Sequence, residues 1–360
     1  MTAVDTGFAL RPFYCPVEPA IHESVADIET RAVDWIDGFA LAADARERRR
    51  VVGTRSAEFY ARMAPCGIAA NVEVAALWVY WGFAFDDARC DHGPYSDRVE
   101  DFLPMAHRVQ RALELPSGVD EDDRFAVAVH DIGRRLREIA TPVQFQRFVH
   151  AHRQWLMGVA WQISNRARDR TPGLDAYLLQ RLGSAGGPPT LALLEIAHGR
   201  EVPAREMQAP VVRAMTELSW AVASLDNDLH SYRREAGQGY TDQNIITVHI
   251  RNEGCSTEQA HTRAVALRDR MMQRLLALHG EVLPRASSAL ESYLHGLLHA
   301  VRGNTDWALN VPRYNGAESG NADAEFGVGS GFTSTPSVHV PGPPGLPSID
   351  WWWRVGAEDL

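Results

Sequence analysis

The segment Leu77-Trp-Val-Tyr-Trp-Gly-Phe-Ala-Phe-Asp86-Asp87-Ala-Arg-Cys-Asp91 carries an aromatic, apolar run straight into three carboxylates. The run itself, Val74 to Phe85, is twelve residues long between Glu73 and Asp86. That falls short of the roughly 18 to 20 residues a membrane span needs and suits a buried helix. If the helix continues through the acids, Asp87 and Asp91 share one face while Asp86 lies about 100° round from Asp87. Like charges clustered at the end of a buried helix are costly, and a hard divalent cation such as Mg²⁺ would relieve them. A solvated helix end whose acids face water is the plainer alternative.

Outward from this segment, between about Pro19 and Arg302, apolar positions recur mostly at three- and four-residue spacing and strand-like alternation is scarce. The chain therefore reads as all-α. Helices are predicted near 24–43, 53–64, 71–90, 97–114, 121–138, 142–167, 174–184, 189–197, 208–235, 240–252, 256–279 and 283–302, separated by breakers such as Pro65 with Gly67, Pro172-Gly173 and Gly186-Gly187-Pro188-Pro189. Beyond Tyr314 the composition turns to Gly, Pro and Ser. Three parts result: an N-terminal segment (1–18), one helical domain (19–314) and a tail (315–360) expected to be disordered. The tail ends in Trp351-Trp352-Trp353, either a docking element or a locally sticky end.

A second polar cluster, Asn227-Asp228-Leu-His-Ser231-Tyr-Arg-Arg234-Glu235, follows the apolar Trp220-Ala-Val-Ala-Ser-Leu. Asn227, Ser231 and Glu235 are spaced i, i+4, i+8, so on a helix their oxygens form one stripe. Amide, hydroxyl and carboxylate oxygens suit Mg²⁺, and the preceding apolar run puts the stripe at the mouth of something buried.

Composition excludes several classes. A chain of 360 residues, 45% hydrophobic and 23% charged, can bury a large core. A net charge of −10 argues against nonspecific nucleic-acid binding. Every basic residue is arginine, so a phosphate contact must use a planar guanidinium. Cys15, Cys66, Cys90 and Cys255 form no CxxC pair, and the first residues lack a basic region followed by an apolar core. A reducing, cytoplasmic location is expected.

The two clusters together, DDxxxD and then NDxxSxxxE about 140 residues later, resemble the metal-binding motifs of class I terpene synthases, specifically the single-domain bacterial terpene cyclases. Arg181 lies 46 positions before Asn227, where that family carries a diphosphate-sensing arginine. Arg234 precedes Glu235 as the family's basic residue does, and Trp307 through Arg313-Tyr314 looks like its C-terminal RY pair with an upstream tryptophan. The resemblance covers roughly residues 20–314 and implies a helical bundle around a central apolar pocket. It also implies a trinuclear Mg²⁺ cluster on Asp86, Asp91, Asn227, Ser231 and Glu235, with Arg181, Arg234, Arg313 and Tyr314 on the substrate diphosphate. The implied activity is ionisation of a linear prenyl diphosphate, farnesyl or geranylgeranyl ahead of geranyl, and cyclisation of the cation; a homodimer is possible by the same analogy.

Charge aimed at the departing diphosphate and aromatic faces around the carbocation make that chemistry sensible. Phe83, on the helix face of Asp86, is the first candidate for a cation contact and Trp307 the second, with Tyr80, Trp78, Trp81, Phe59 and Trp220 as alternatives. Asp87 is expected behind the ligands, pairing with an arginine. Three residues, not two, separate the acid pair from Asp91, and Ser184 stands where relatives often carry an acid, which leaves a backbone carbonyl near Ala185 as the effector. The rivals are an isoprenyl chain-elongating synthase, whose clusters are normally aspartate-rich, and a noncatalytic helical binding protein. His130-Asp131 and the His295/His299 pair lack the further ligands of a metal motif.

Overall fold

The computed structural model describes residues 11–117, 119, 122–238, 243–311, 331–339 and 342–360, with side chains excluded at 234, 237 and 238. It is helical almost throughout, as the spacing requires. The described residues fall into two compact units, one from within Met1–Pro19, Asp169–Leu182 and Pro203–Leu360, the other from Ala20–Arg168 and Gly183–Val202.

The second unit is built on α4 (Ala69–Phe85), which packs against α1 (Val25–Gly38), α2 (Ala45–Val52), α3 (Ser56–Met63), α6 (Arg124–Ile139) and α9 (Gly187–Ala197). Its residues are buried on every side, from Val72 and Ala76 to Trp81 and Phe85, which is why it lacks an amphipathic pattern. Helices α5 (Val99–Glu114) and α7 (Pro142–Ala167) pack on one another and on α6. Caps set the starts: Asp44 accepts from the amides of Arg46 and Glu47, Asp123 from those of Phe125 and Ala126, and Thr141 with Gln144 forms a capping box. At Gly158 of α7 a Cβ would meet Ser184 N at 2.5 Å and the Gly183 carbonyl carbon at 2.6 Å, so the close approach of the two backbones requires glycine.

In the first unit α11 (Pro210–Gln238) packs against α13 (Thr257–Val282) and α14 (Ser288–Asn310), with α12 (Ile245–Glu253) against α11 and α13. Helix α8 (Leu174–Ser184) and the short α10 (Ala204–Met207) complete the helices. A minimal parallel pair, β1 (Phe13–Tyr14) with β2 (Phe332–Thr333), lies on α13. Beneath it the fully buried Arg268 grips Asp226 with two hydrogen bonds (2.7 and 3.1 Å) and donates to Tyr14 O, while Asp269 accepts from Ser337 N at 2.8 Å.

Composition misreads the tail in the part that is described. Residues 331–339 and 342–360 are fixed on their own chain, and Trp352 and Ile349 are fully buried. The Gly and Pro there shape a route over the surface, while a few large side chains supply the burial. Of the two readings of the tryptophans, docking on the same chain is the one observed.

Candidate active site

The helix of the opening segment changes character where the acids begin. Helix α4 stops at Phe85 and Asp86–Asp91 form one π-helical turn. A π-helix closes i to i+5 bonds at roughly 4.4 residues per turn, so Asp86, Asp87 and Asp91 fall within an arc of about 80° with Asp91 between the other two. On a continuing α-helix Asp91 would stand about 140° from Asp86. The extra residue in the motif is absorbed by the wider turn, and the expectation that Asp86 stands apart from an Asp87/Asp91 pair is corrected.

The turn is pinned from two sides. Arg89 makes a paired contact with Asp123 (both 2.8 Å), and Arg166 near the end of α7 donates to the carbonyls of Cys90 (2.9 Å) and Ser96 (3.0 Å). Arginines also answer the acids: Arg50 lies 3.5 Å from Asp87, and Arg166 3.6 Å from Asp91. The Cys90 thiol bonds to Asp86, and burial first, then the charges of Asp86 and Asp91, push its pKa well up. Cys90 is therefore a neutral donor here. Phe83, half-buried one turn earlier, meets Phe59 edge-on with ring centroids 6.2 Å apart.

In the other unit Asn227, Ser231 and Glu235 lie along α11 as the spacing requires. Arg181 of α8 donates to Asn227 Oδ1 at 3.1 Å and pairs with Asp228 Oδ1 at 2.7 Å. Asn244 donates to Glu235 Oε2 at 3.1 Å and to Asp228 O at 2.7 Å; Ser231 Oγ is buried, with a 3.4 Å contact to Asp228 O. Burial opposes the charge on Arg181, but Asp228, Tyr177 and Glu235 outweigh it and raise its pKa further. The guanidinium is a permanent cation set on Asn227 Oδ1.

The sequence pattern assigns no role to Asp228, yet it is the hub of this cluster. Besides Arg181 it accepts from the Tyr177 hydroxyl and from Ile245 N at 3.1 Å. Its signal was present: a carboxylate directly after Asn227 that, on a helix, points away from the stripe. Trp307 is buried in α14, two residues after Thr305, which donates to Asp226 at 3.1 Å. Arg313 and Tyr314 lie outside the described residues, as does the side chain of Arg234.

Of the alternative aromatics, Tyr80 donates to Glu29 and Trp81 to Phe125 O at 2.9 Å, both within the interior of their unit. Trp78, Trp81, Phe85, Phe148, His152 and Trp155 form a contiguous ring cluster. Asp131 accepts from Trp35, Arg134 and Arg135, and His295 lies 3.8 Å from Glu291, so neither belongs to a metal site. Near Ala185, Trp155 donates to Ser184 O at 3.2 Å and Gly186 turns the chain at φ 76°.

The donor sets fit a hard divalent cation. All the predicted ligands are oxygens, and within its own unit each cluster is held by arginine or amide donors. Among the described residues no three His, Cys, Asp or Glu side chains converge as a ready-made cage. Nor is any helix of the described residues long and apolar enough to cross a membrane.

Comparison with known proteins gives the family. The family model described as terpene synthase family 2, C-terminal metal binding, matches residues 77–274, which contain both acid clusters and Arg181. The chain is 44% identical to spiroviolene synthase of Streptomyces violens over 96% of each protein. It is 35% identical to phomopsene synthase of Allokutzneria albata over 98% of this chain and 99% of that one. The crystal structure of the SVS_A2 protein from ancestral sequence reconstruction superposes with a TM-score of 0.87 at 50% identity, over 96% of this chain and 98% of that one. The chain belongs to the bacterial class I terpene synthases, and it is an enzyme that binds a divalent metal.

Proposed function

We propose that the protein binds a linear prenyl diphosphate, farnesyl or geranylgeranyl diphosphate, with three Mg²⁺ ions and converts it to a cyclic sesquiterpene or diterpene with release of diphosphate. The observation that carries this reading is Arg181, buried, held charged by Asp228 and set on the oxygen of Asn227. Asp86 and Asp91 on the π-turn, and Asn227, Ser231 and Glu235 on α11, are the metal ligands. Bound Mg²⁺ supplies the Lewis-acid charge that draws negative charge onto the leaving diphosphate.

The chain's own residues do the rest. Arg181 donates to diphosphate oxygens through a fork already aligned by Asp228, so little reorganisation is needed as charge develops. Arg234, Arg313 and Tyr314 add donors to the same group. Phe83 and Trp307 turn π faces to the carbocation, and apolar walls keep water from trapping it early. A chain-elongating synthase would need a second diphosphate site, and the Asn/Ser/Glu stripe does not supply a second aspartate-rich cluster. We assign the enzyme to the cytoplasm, in keeping with four cysteines in no disulfide, and propose a homodimer by family analogy.

The test is incubation of purified enzyme and Mg²⁺ with geranyl, farnesyl and geranylgeranyl diphosphate separately, with extracts read by gas chromatography and mass spectrometry and an EDTA control. A cyclic hydrocarbon or alcohol that EDTA abolishes is expected, and its carbon number identifies the substrate. Asp86→Ala and Asn227→Ala should abolish diphosphate release with the helical fold intact. Turnover near the wild-type level by either variant would sink the metal assignment.

A further inference from the structure

We infer that the C-terminal segment 342–360 is a strap that positions the arginine-bearing helix α8 for diphosphate binding, with Ser348 and Asp175 as the positioning pair. This rests on the reading of Arg181 as a diphosphate ligand.

The strap is fastened along its length to the helices of its own unit. Trp352 is fully buried and donates through Nε1 to Glu217 Oε2 on α11 at 2.8 Å, while Arg213 lies over the Trp351 ring at 5.7 Å. From α13, Arg274 donates to the carbonyls of Trp352 (3.1 Å) and Val355, and Arg270 to Pro343 O at 3.3 Å. Arg285 holds Ala357 O at 2.9 Å. The turn before the tryptophans is stiffened by Asp350, which accepts from the amides of Gly345 (3.0 Å) and Leu346 (2.9 Å). On that stiffened turn sits Ser348. Its amide donates to Asp175 Oδ1 at 2.9 Å and its hydroxyl to the same oxygen at 2.7 Å.

Asp175 is in the first turn of α8, six residues before Arg181, or about 9 Å along the axis. The helix between them is held in this unit by a row of hydrogen bonds: Tyr177 to Asp228 and Gln243 O, Gln180 to Gln243, Arg181 to Asp228 and Asn227. Each of those bonds lies on the C-terminal side of Asp175. The Ser348 pair therefore holds the first turn of the same rigid rod through a side chain, next to the breaker Pro172-Gly173, whose approach is tied to α12 by Asn252 donating to Pro172 O (2.9 Å) and Arg251 to Thr171 (2.6 Å). A tilt at Asp175 swings the guanidinium fork, and a bidentate donor displaced by a fraction of an ångström loses alignment with its anion.

The experiment uses the full chain and inorganic pyrophosphate with excess Mg²⁺, followed by titration calorimetry, alongside KM and kcat for the accepted prenyl diphosphate. Ser348→Ala should weaken pyrophosphate binding and raise KM by about three- to tenfold, the range one lost hydrogen bond is worth, with a smaller change in kcat. Ser348→Thr, which keeps the hydroxyl, should restore both. Trp352→Phe, which keeps the apolar anchor but drops the donor to Glu217, should weaken binding in the same direction at a site far from α8. Pyrophosphate affinity unchanged in Ser348→Ala overturns the proposal, as does a lowered melting midpoint with no loss of affinity or a failure of the threonine variant to restore it. If the wild type itself binds no pyrophosphate with Mg²⁺, the terpene synthase reading of the site falls first, and that result is distinct from any difference among the variants.

Discussion

Acidification should destabilise this protein through one identified histidine. His152 sits in the ring cluster of Trp78, Trp81, Phe148 and Trp155, with no exposed surface. Gln110 donates through its amide to Glu114 (2.8 Å) and Val149 O (3.2 Å), so its carbonyl oxygen faces His152 Nδ1 at 2.7 Å and accepts from it. Nδ1 carries the proton, and Nε2 has no hydrogen-bond partner among the described residues. Burial, then the charge of Arg153, lower the His152 pKa to about 3. In the unfolded chain the imidazole returns to about 6.5, so between those values only the unfolded state takes up the proton. The contribution is complete above the unfolded value and is lost as pH falls towards the folded one. At pH 5 the gap of about 1.5 units corresponds to roughly 2 kcal/mol, a figure set by the unfolded value as long as the folded one stays below 5. His249 and His261, lowered to about 4 mainly by burial, push in the same direction, so the effect must be isolated by difference. Urea unfolding followed by circular dichroism at about pH 7 and about pH 5 should show the wild type losing roughly 2 kcal/mol more than His152→Gln. Equal losses in the two proteins would refute the argument that His152 is buried neutral.

Three further outcomes follow from the geometry. Asp228→Asn leaves the buried Arg181 without its carboxylate and should cost about 3–5 kcal/mol in urea unfolding, together with most pyrophosphate affinity; a variant as stable as wild type would show the pair to be dispensable. Arg166→Ala removes the donor to the Cys90 and Ser96 carbonyls, so the Mg²⁺ concentration for half-maximal diphosphate release should rise several-fold, and an unchanged magnesium curve would remove Arg166 from the site. Gly158→Ala drives a methyl group into the backbone of Gly183 and Ser184 and should destabilise by about 1–3 kcal/mol, measured as a lower melting midpoint.

What the sequence disclosed follows from what repeats and what does not. The helices were legible because an apolar face must recur every three or four residues, and α7 and α8 start and stop where their caps and breakers stand. The stripe Asn227, Ser231, Glu235 was legible for the same reason. Asp228 was not, because its partners come from Tyr177, Arg181 and Ile245, and side chains that meet across dozens of residues leave no local spacing to read. The tail misled for a related reason: Trp352 and Ile349 bury themselves singly in a stretch of Gly and Pro, without any period, and average composition hides two anchors among many spacers. The 240–252 helix begins later than expected, at Ile245, since Asn244 serves as its cap and accepts from Ile246 N.

The π-turn bears on how chains of this kind are aligned. An added residue in a loop shifts nothing beyond the loop, whereas an added residue in an α-helix ordinarily rotates everything after it by about 100°. At Asp86–Asp91 the helix swallows the insertion inside one widened coil, held by Arg89 and Arg166, and ends at His92 before any rotation can propagate. A reading that continued the α-helix through these residues would put Asp91 about 140° from Asp86 and misplace Arg89 and Cys90 as well. In this chain the clamp from Arg89 and Arg166 is what holds the widened turn, so the spacing of the acids is readable only together with those two arginines.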